Sequence, residues 1–115
     1  MRAFSLTERD LGPRCREIRI EGELDLAVVD RMSAAIDRCA AESDQIVISL
    51  ERCEFIDSTG IASIVRAHNQ LDAEGCRVVV CAPSNQVLRV LTVTGLTSNG
   101  MVFESVDDAL ASSPE

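Results

Sequence analysis

The stretch Arg77-Val78-Val79-Val80-Cys81 decides the fold. Its apolar residues do not alternate with polar ones, so the segment is apolar on both faces. That pattern belongs to a strand in the middle of a parallel sheet, covered on two sides. Just before it, Gly75 is placed to stop a helix as a C′ glycine does. Further back, Ile61, Ile64, Val65, His68 and Leu71 form one helical stripe, and Ile46 to Leu50 is a short β-branched run that reads as a buried strand. Strand, helix and strand thus follow one another, which calls for parallel pairing with right-handed crossovers.

The same reading extends outward. Towards the N-terminus, Val29, Met32, Ile36 and Cys39 recur at helical spacing opposite Asp30, Arg31, Asp37 and Arg38, which predicts an amphipathic helix. Before it, Cys15 to Glu21 alternates as a strand, ended by Gly22-Glu23-Leu24-Asp25. Phe4 to Glu8 is a second short strand, joined to the first through a turn at Asp10-Leu11-Gly12-Pro13. Towards the C-terminus, Pro83-Ser84 opens a helix with Val87, Leu88 and Leu91 as its stripe, ending near Thr94-Gly95. Met101-Val102-Phe103 is a last strand, and Ser105 caps a short helix through Val106, Ala109 and Leu110. Residues 111–115 are expected to fray. The predicted order is ββαβαβαβα, a single domain over residues 1–115. Its sheet has about five strands and is mainly parallel, with the N-terminal hairpin as its mixed edge.

Composition narrows the function. Eleven basic residues, all arginine, face nineteen acidic ones among 115, for a net charge of −8. With no lysine there is no phosphate-loop lysine, Schiff base or lysine general base. An acidic chain without basic clusters argues against nucleic acid and anionic membranes as partners. The longest apolar run, Val78 to Ala82, is far short of the roughly 20 residues that span a bilayer. The first eight residues hold no apolar signal core, so a cytoplasmic location is expected. The five cysteines, at 15, 39, 53, 76 and 81, form no CxxC pair and read as small buried hydrophobes, and one histidine alone builds no zinc site. No metal and no cofactor is expected.

The chemistry concentrates in Phe55-Ile56-Asp57-Ser58-Thr59-Gly60-Ile61. Two hydroxyls lie between a carboxylate and a glycine where a strand hands over to a helix. Sites in open α/β sheets form at the carboxyl ends of strands, and a helix N-terminus offers free N–H groups and a positive dipole end that tolerate a phosphate. Asp57 is placed to cap the helix, leaving Ser58 or Thr59 exposed, and Gly60 permits close approach by a partner's backbone. An ordinary N-cap has the same appearance. A serine nucleophile lacks a base: His68 lies about two turns down the helix, on its apolar stripe. An aspartyl-phosphate receiver fails as well, since it needs a lysine and an acidic pair after the first strand.

Gly22-Glu23-Leu24-Asp25, Asp57-Ser58-Thr59-Gly60 and Thr94-Gly95-Leu96, in this order and on these elements, resemble the STAS-domain anti-anti-sigma factors, also called anti-sigma factor antagonists. The resemblance covers roughly residues 15–110. It implies an α/β fold with a mixed sheet flanked by helices, and no catalysis. It implies a switchable ligand whose unphosphorylated form binds an anti-sigma factor with Ser/Thr kinase activity and so frees a sigma factor. The kinase phosphorylates the motif serine, here Ser58, and a PP2C-type phosphatase restores the active form. In the family the aspartate of Gly-Glu-Leu-Asp, here Asp25, lies beside that serine. The implied contact surface is Asp25 to Ala27 and the run Asp57, Ser58, Thr59 and Gly60, with Ser63 and Arg66 on the outward face of the following helix. Family members often carry a second glycine where Ala62 stands. The alternative within the fold is a STAS scaffold or subunit of a transport or stress complex that is not phosphorylated.

Overall fold

The computed structural model describes residues 3–81, 83–95 and 100–111. Within them the chain forms β1 (Ser5–Gly12), β2 (Cys15–Leu24), α1 (Val29–Ala40), β3 (Gln45–Ile56), α2 (Ser58–Asp72), β4 (Arg77–Cys81), α3 (Asn85–Val93), β5 (Val102–Phe103) and α4 (Val106–Ala111). The strands lie side by side in chain order. β1 runs antiparallel to β2 and every later pair is parallel. This is the expected α/β architecture, ββαβαβαβα with a hairpin at the edge. Residues 1, 2, 82, 96–99 and 112–115 fall outside the described residues. With them go the end of the Val78 to Ala82 run, Leu96 of the third motif and all of the expected fraying segment except Ala111.

The two faces of the sheet have different cores. On one, Ile18, Ile20, Leu24, Ile46, Ile48, Leu50, Val78 and Val80 meet Met32 and Ile36 of α1, Ile64 and Leu71 of α2, and Val87 and Leu91 of α3. On the other, Val47, Val79 and Cys81 meet Ala109 of α4. β4 is therefore apolar on both faces because helices cover both.

Four boundaries and one stripe differ from expectation. β1 extends to Gly12, and the turn falls on Pro13 and Arg14, where Arg14 takes φ 57°. β2 continues through Gly22-Glu23-Leu24, and β3 continues from Leu50 to Ile56. Irregular pairing at Arg19/Glu21 and Gly22/Glu23 lets the two strands run on together while Glu51, Arg52, Glu54 and Phe55 stay exposed. The last strand is only Val102–Phe103. In α3, Val87 and Leu91 are buried but Leu88 is exposed. The helix ends behave as read. Ser84 Oγ accepts from Val87 N–H, and Ser105 Oγ accepts from Asp108 N–H. Gly75 (φ 89°) closes α2 as Cys76 N–H reaches the Leu71 carbonyl at 2.8 Å.

Cys39, Cys53, Cys76 and Cys81 are buried free thiols and Cys15 is half-buried. Burial pushes all five thiols up. His68 Nδ1 lies 2.7 Å from the Val78 carbonyl and ties α2 to β4. Among the described residues, no helix is long and apolar enough to cross a membrane and no cluster of His, Cys, Asp or Glu is set to hold a metal.

Candidate functional site at the start of α2

The site forms where β2 and β3 end together. Leu24 pairs with Ile56 in the last register position of the parallel ladder, so the loop leaving β2 and the turn leaving β3 emerge side by side. Asp57 joins them. One carboxylate oxygen, Oδ1, accepts from Gly60 N–H at 3.0 Å and from the Thr59 hydroxyl at 2.6 Å. The other, Oδ2, accepts from Leu26 N–H, in the β2–α1 loop, at 3.3 Å. Asp57 is thus the N-cap of α2, as its position suggested, and also a clamp between two loops. The Thr59 hydroxyl, helped by the Gly60 amide, holds its carboxyl below the usual carboxylate range.

Ser58 opens α2 and is exposed. Thr59 is half-buried, its hydroxyl turned back to Asp57. Asp25 lies on the loop that the clamp holds: its Oδ1 accepts from Ala27 N–H, and its carbonyl accepts from Val28 and Val29 N–H. The structure therefore brings Asp25, Asp57, Ser58 and Thr59 to one end of the sheet. At this helix end the Asp57 carboxylate already occupies the Gly60 amide.

Two sequence readings change. Gly60 is buried, and a Cβ there would stand 2.9 Å from both the Leu24 carbonyl oxygen and Ile56 Cγ1. The close approach that demands glycine is made by this chain's own β2, not by an incoming backbone. Ser63 does not face outward: it is 6% exposed and its hydroxyl meets Ser33 of α1 at 2.9 Å. Helix α2 has two covered sides, one on the sheet and one on α1, and a small hydroxyl is accommodated in the second because it is paired. Arg66 is exposed as expected. It lines a small groove of about 140 Å³ between α1 and α2 with Ser33, Asp37 and Gln70. Eight residues of helix put it about 12 Å along the axis from Ser58, so it does not join the serine's immediate surroundings.

Two exposed apolar side chains border this end, Leu26 at 70% and Phe55 at 49%. The sequence pattern did not mark the exposure of Phe55. The available signal was Glu54 beside it, since a solvated carboxylate at the end of a strand marks a change in burial. The segments 23–30 and 51–58 also hold Glu23, Asp25, Asp30, Glu51, Glu54 and Asp57 against Arg52 alone, concentrating much of the net negative charge here.

At one end of a regular α/β sheet the chain thus presents an exposed serine within an acidic rim. The family model described as the STAS domain matches residues 9–109, and the chain belongs to that family. The anti-sigma F factor antagonist of Paenibacillus polymyxa is 27% identical over 95 residues, 81% of each chain. The solved structure of the anti-sigma factor antagonist SpoIIAA in its unphosphorylated form superposes with a TM-score of 0.76 at 26% identity, covering 94% of this chain and 93% of that one. The phosphorylated form of SpoIIAA, described as a Bacillus cell fate determinant, superposes with a TM-score of 0.71 at 25% identity, covering 95% and 97%. These relatives are regulatory binding proteins, not enzymes, and this chain is of their kind.

Proposed function

We propose that the chain is an anti-sigma factor antagonist controlled by phosphorylation of Ser58. Unphosphorylated, it binds an anti-sigma factor that has Ser/Thr kinase activity and displaces a sigma factor from it. The kinase transfers phosphate to Ser58 and binding is lost; a PP2C-type phosphatase reverses this, all in the cytoplasm. The contact surface is Asp25, Asp57, Ser58 and Thr59, with Arg66 at its margin; Gly60 and Ser63 shape that surface from beneath.

The observation that carries this reading is the exposed Ser58 at the N-terminal end of α2, in an acidic rim. Phosphorylation adds about −1.5 to −2 charge there. With the Asp57 carboxylate already on the helix end, the dianion stands towards the partner. A combined loss of about 3–4 kcal/mol from repulsion and displaced contacts lowers affinity a hundredfold or more.

The test is partner binding by Ser58→Ala and Ser58→Asp, with mass mapping of the tryptic peptide Cys53 to Arg66 from protein purified out of its own host. The switch requires one phosphoryl addition on Ser58, retained binding by the alanine variant and weakened binding by the aspartate variant. Equal binding by both, with the peptide unmodified under all growth conditions, would instead make the chain a passive STAS scaffold.

A further inference from the structure

We propose that Asp57 is the residue that makes Ser58, rather than Thr59, the acceptor of the phosphoryl group; this rests on the phosphoswitch reading above. The motif offers two adjacent hydroxyls, and composition does not choose between them. The geometry does. Thr59 Oγ1 donates to Asp57 Oδ1 at 2.6 Å, a short charge-assisted bond, and the side chain is half-buried in the first turn of α2. Ser58 is exposed one residue earlier.

The transfer step has fixed demands. A hydroxyl oxygen forms a bond to the γ-phosphorus of a nucleoside triphosphate, the bond from that phosphorus to the bridging oxygen of the diphosphate breaks, and the hydroxyl proton passes to a base. The oxygen must approach in line with the leaving group. Thr59 Oγ1 is held inward under the cap and must first give up its bond to Asp57. Asp57 does not serve as the base in place, because three donors (Thr59, Gly60 and Leu26) already occupy its oxygens and keep it a weak one. Ser58 meets neither restriction. Asp57 is therefore a positioning residue: it touches no reactant, and it acts by withdrawing the competing hydroxyl.

The experiment places wild type, Ser58→Ala and the double variant Asp57→Ala/Ser58→Ala in the native host and locates phosphate within the Cys53 to Arg66 peptide. The expected pattern is phosphate on Ser58 in wild type, at most a trace on Thr59 in Ser58→Ala, and at least ten times that trace in the double variant; no rise in a double variant that still binds the anti-sigma partner overturns the proposal. Thr59 phosphate in Ser58→Ala at the wild-type level of Ser58 phosphate overturns the proposal and leaves the switch intact. Wild type without phosphate defeats the switch reading itself. A second readout needs neither a kinase nor a folded variant: solvent exchange of the Thr59 hydroxyl proton, followed by NMR in the purified wild-type chain. Slow exchange supports the proposal; exchange as fast as that of an exposed threonine overturns it whatever the host modifies.

Discussion

Replacing Gly60 with alanine tests how the site is built. The φ of Gly60 is not in the left-handed region, so the change meets no backbone prohibition. What it meets is matter: the new methyl carbon stands 2.9 Å from the Leu24 carbonyl oxygen, 2.9 Å from Ile56 Cγ1 and 3.0 Å from Leu24 Cγ. The carbonyl is backbone at the end of a paired strand and does not swing aside. Forcing an extra methyl into a packed contact costs about 1–3 kcal/mol. Removing a glycine from a helix returns about 0.5–1 kcal/mol, and less in the first turn. The net loss is about 1–2 kcal/mol. A chain of this size unfolds with an entropy of about 0.24 kcal/mol/K, so melting falls by about 4–8 °C. Thermal and urea unfolding followed by circular dichroism read this directly. A melting temperature equal to or above wild type refutes the packing argument. If such a stable variant nevertheless loses its partner, the glycine serves a partner's approach after all.

Two further changes follow from the same geometry. Glu17 is 1% exposed, yet its carboxylate accepts from the Ser49 hydroxyl at 2.7 Å and meets Arg9 at 2.9 Å and Arg19 at 3.6 Å. Glu17→Ala leaves these groups unmatched and lowers stability by about 2 kcal/mol, below the ~3–5 of a fully buried pair because both guanidinium groups stay in water; an unchanged urea midpoint contradicts this. For Asp57, the folded carboxyl lies below its unfolded value, so its contribution is present above about pH 4 and is lost as pH falls further. The stability gap between wild type and Asp57→Ala, about 1 kcal/mol for a lost N-cap, is expected in full at pH 7 and reduced at pH 3; a gap independent of pH refutes the assignment.

The fold was legible because its signals are local. Val78 to Val80 fixed a doubly covered strand, and Asp57, Ser84, Ser105 and Gly75 marked helix ends through bonds made within a few residues. What escaped depends on distant partners. Glu17 looked like one more polar residue in an alternating strand; its burial requires Ser49, 32 residues away, and two arginine side chains laid over it. Ser63 looked solvent-facing because one apolar stripe was assigned to α2, whereas a second side packs on α1 through Ser33. The ends of β2 and β3 were cut short because irregular pairing takes both strands past the point where simple alternation stops.

The candidate site combines these two kinds of information. Its residues could be named from sequence, since Asp-Ser-Thr-Gly at a strand–helix junction is a local pattern. Their division of labour could not. The bond from Asp57 to Leu26 N–H spans 31 positions, and the contact that requires Gly60 is with Leu24 of another strand. Together they fix the end of β2, the turn after β3 and the first turn of α2 as one unit. On the proposed switch, that rigidity has a consequence. A phosphate on Ser58 finds the Gly60 amide already taken and the neighbouring loop already tied down, so it has little structure to reorganise. The signal is then a change of charge on a surface of constant shape, read by whichever partner docks against it.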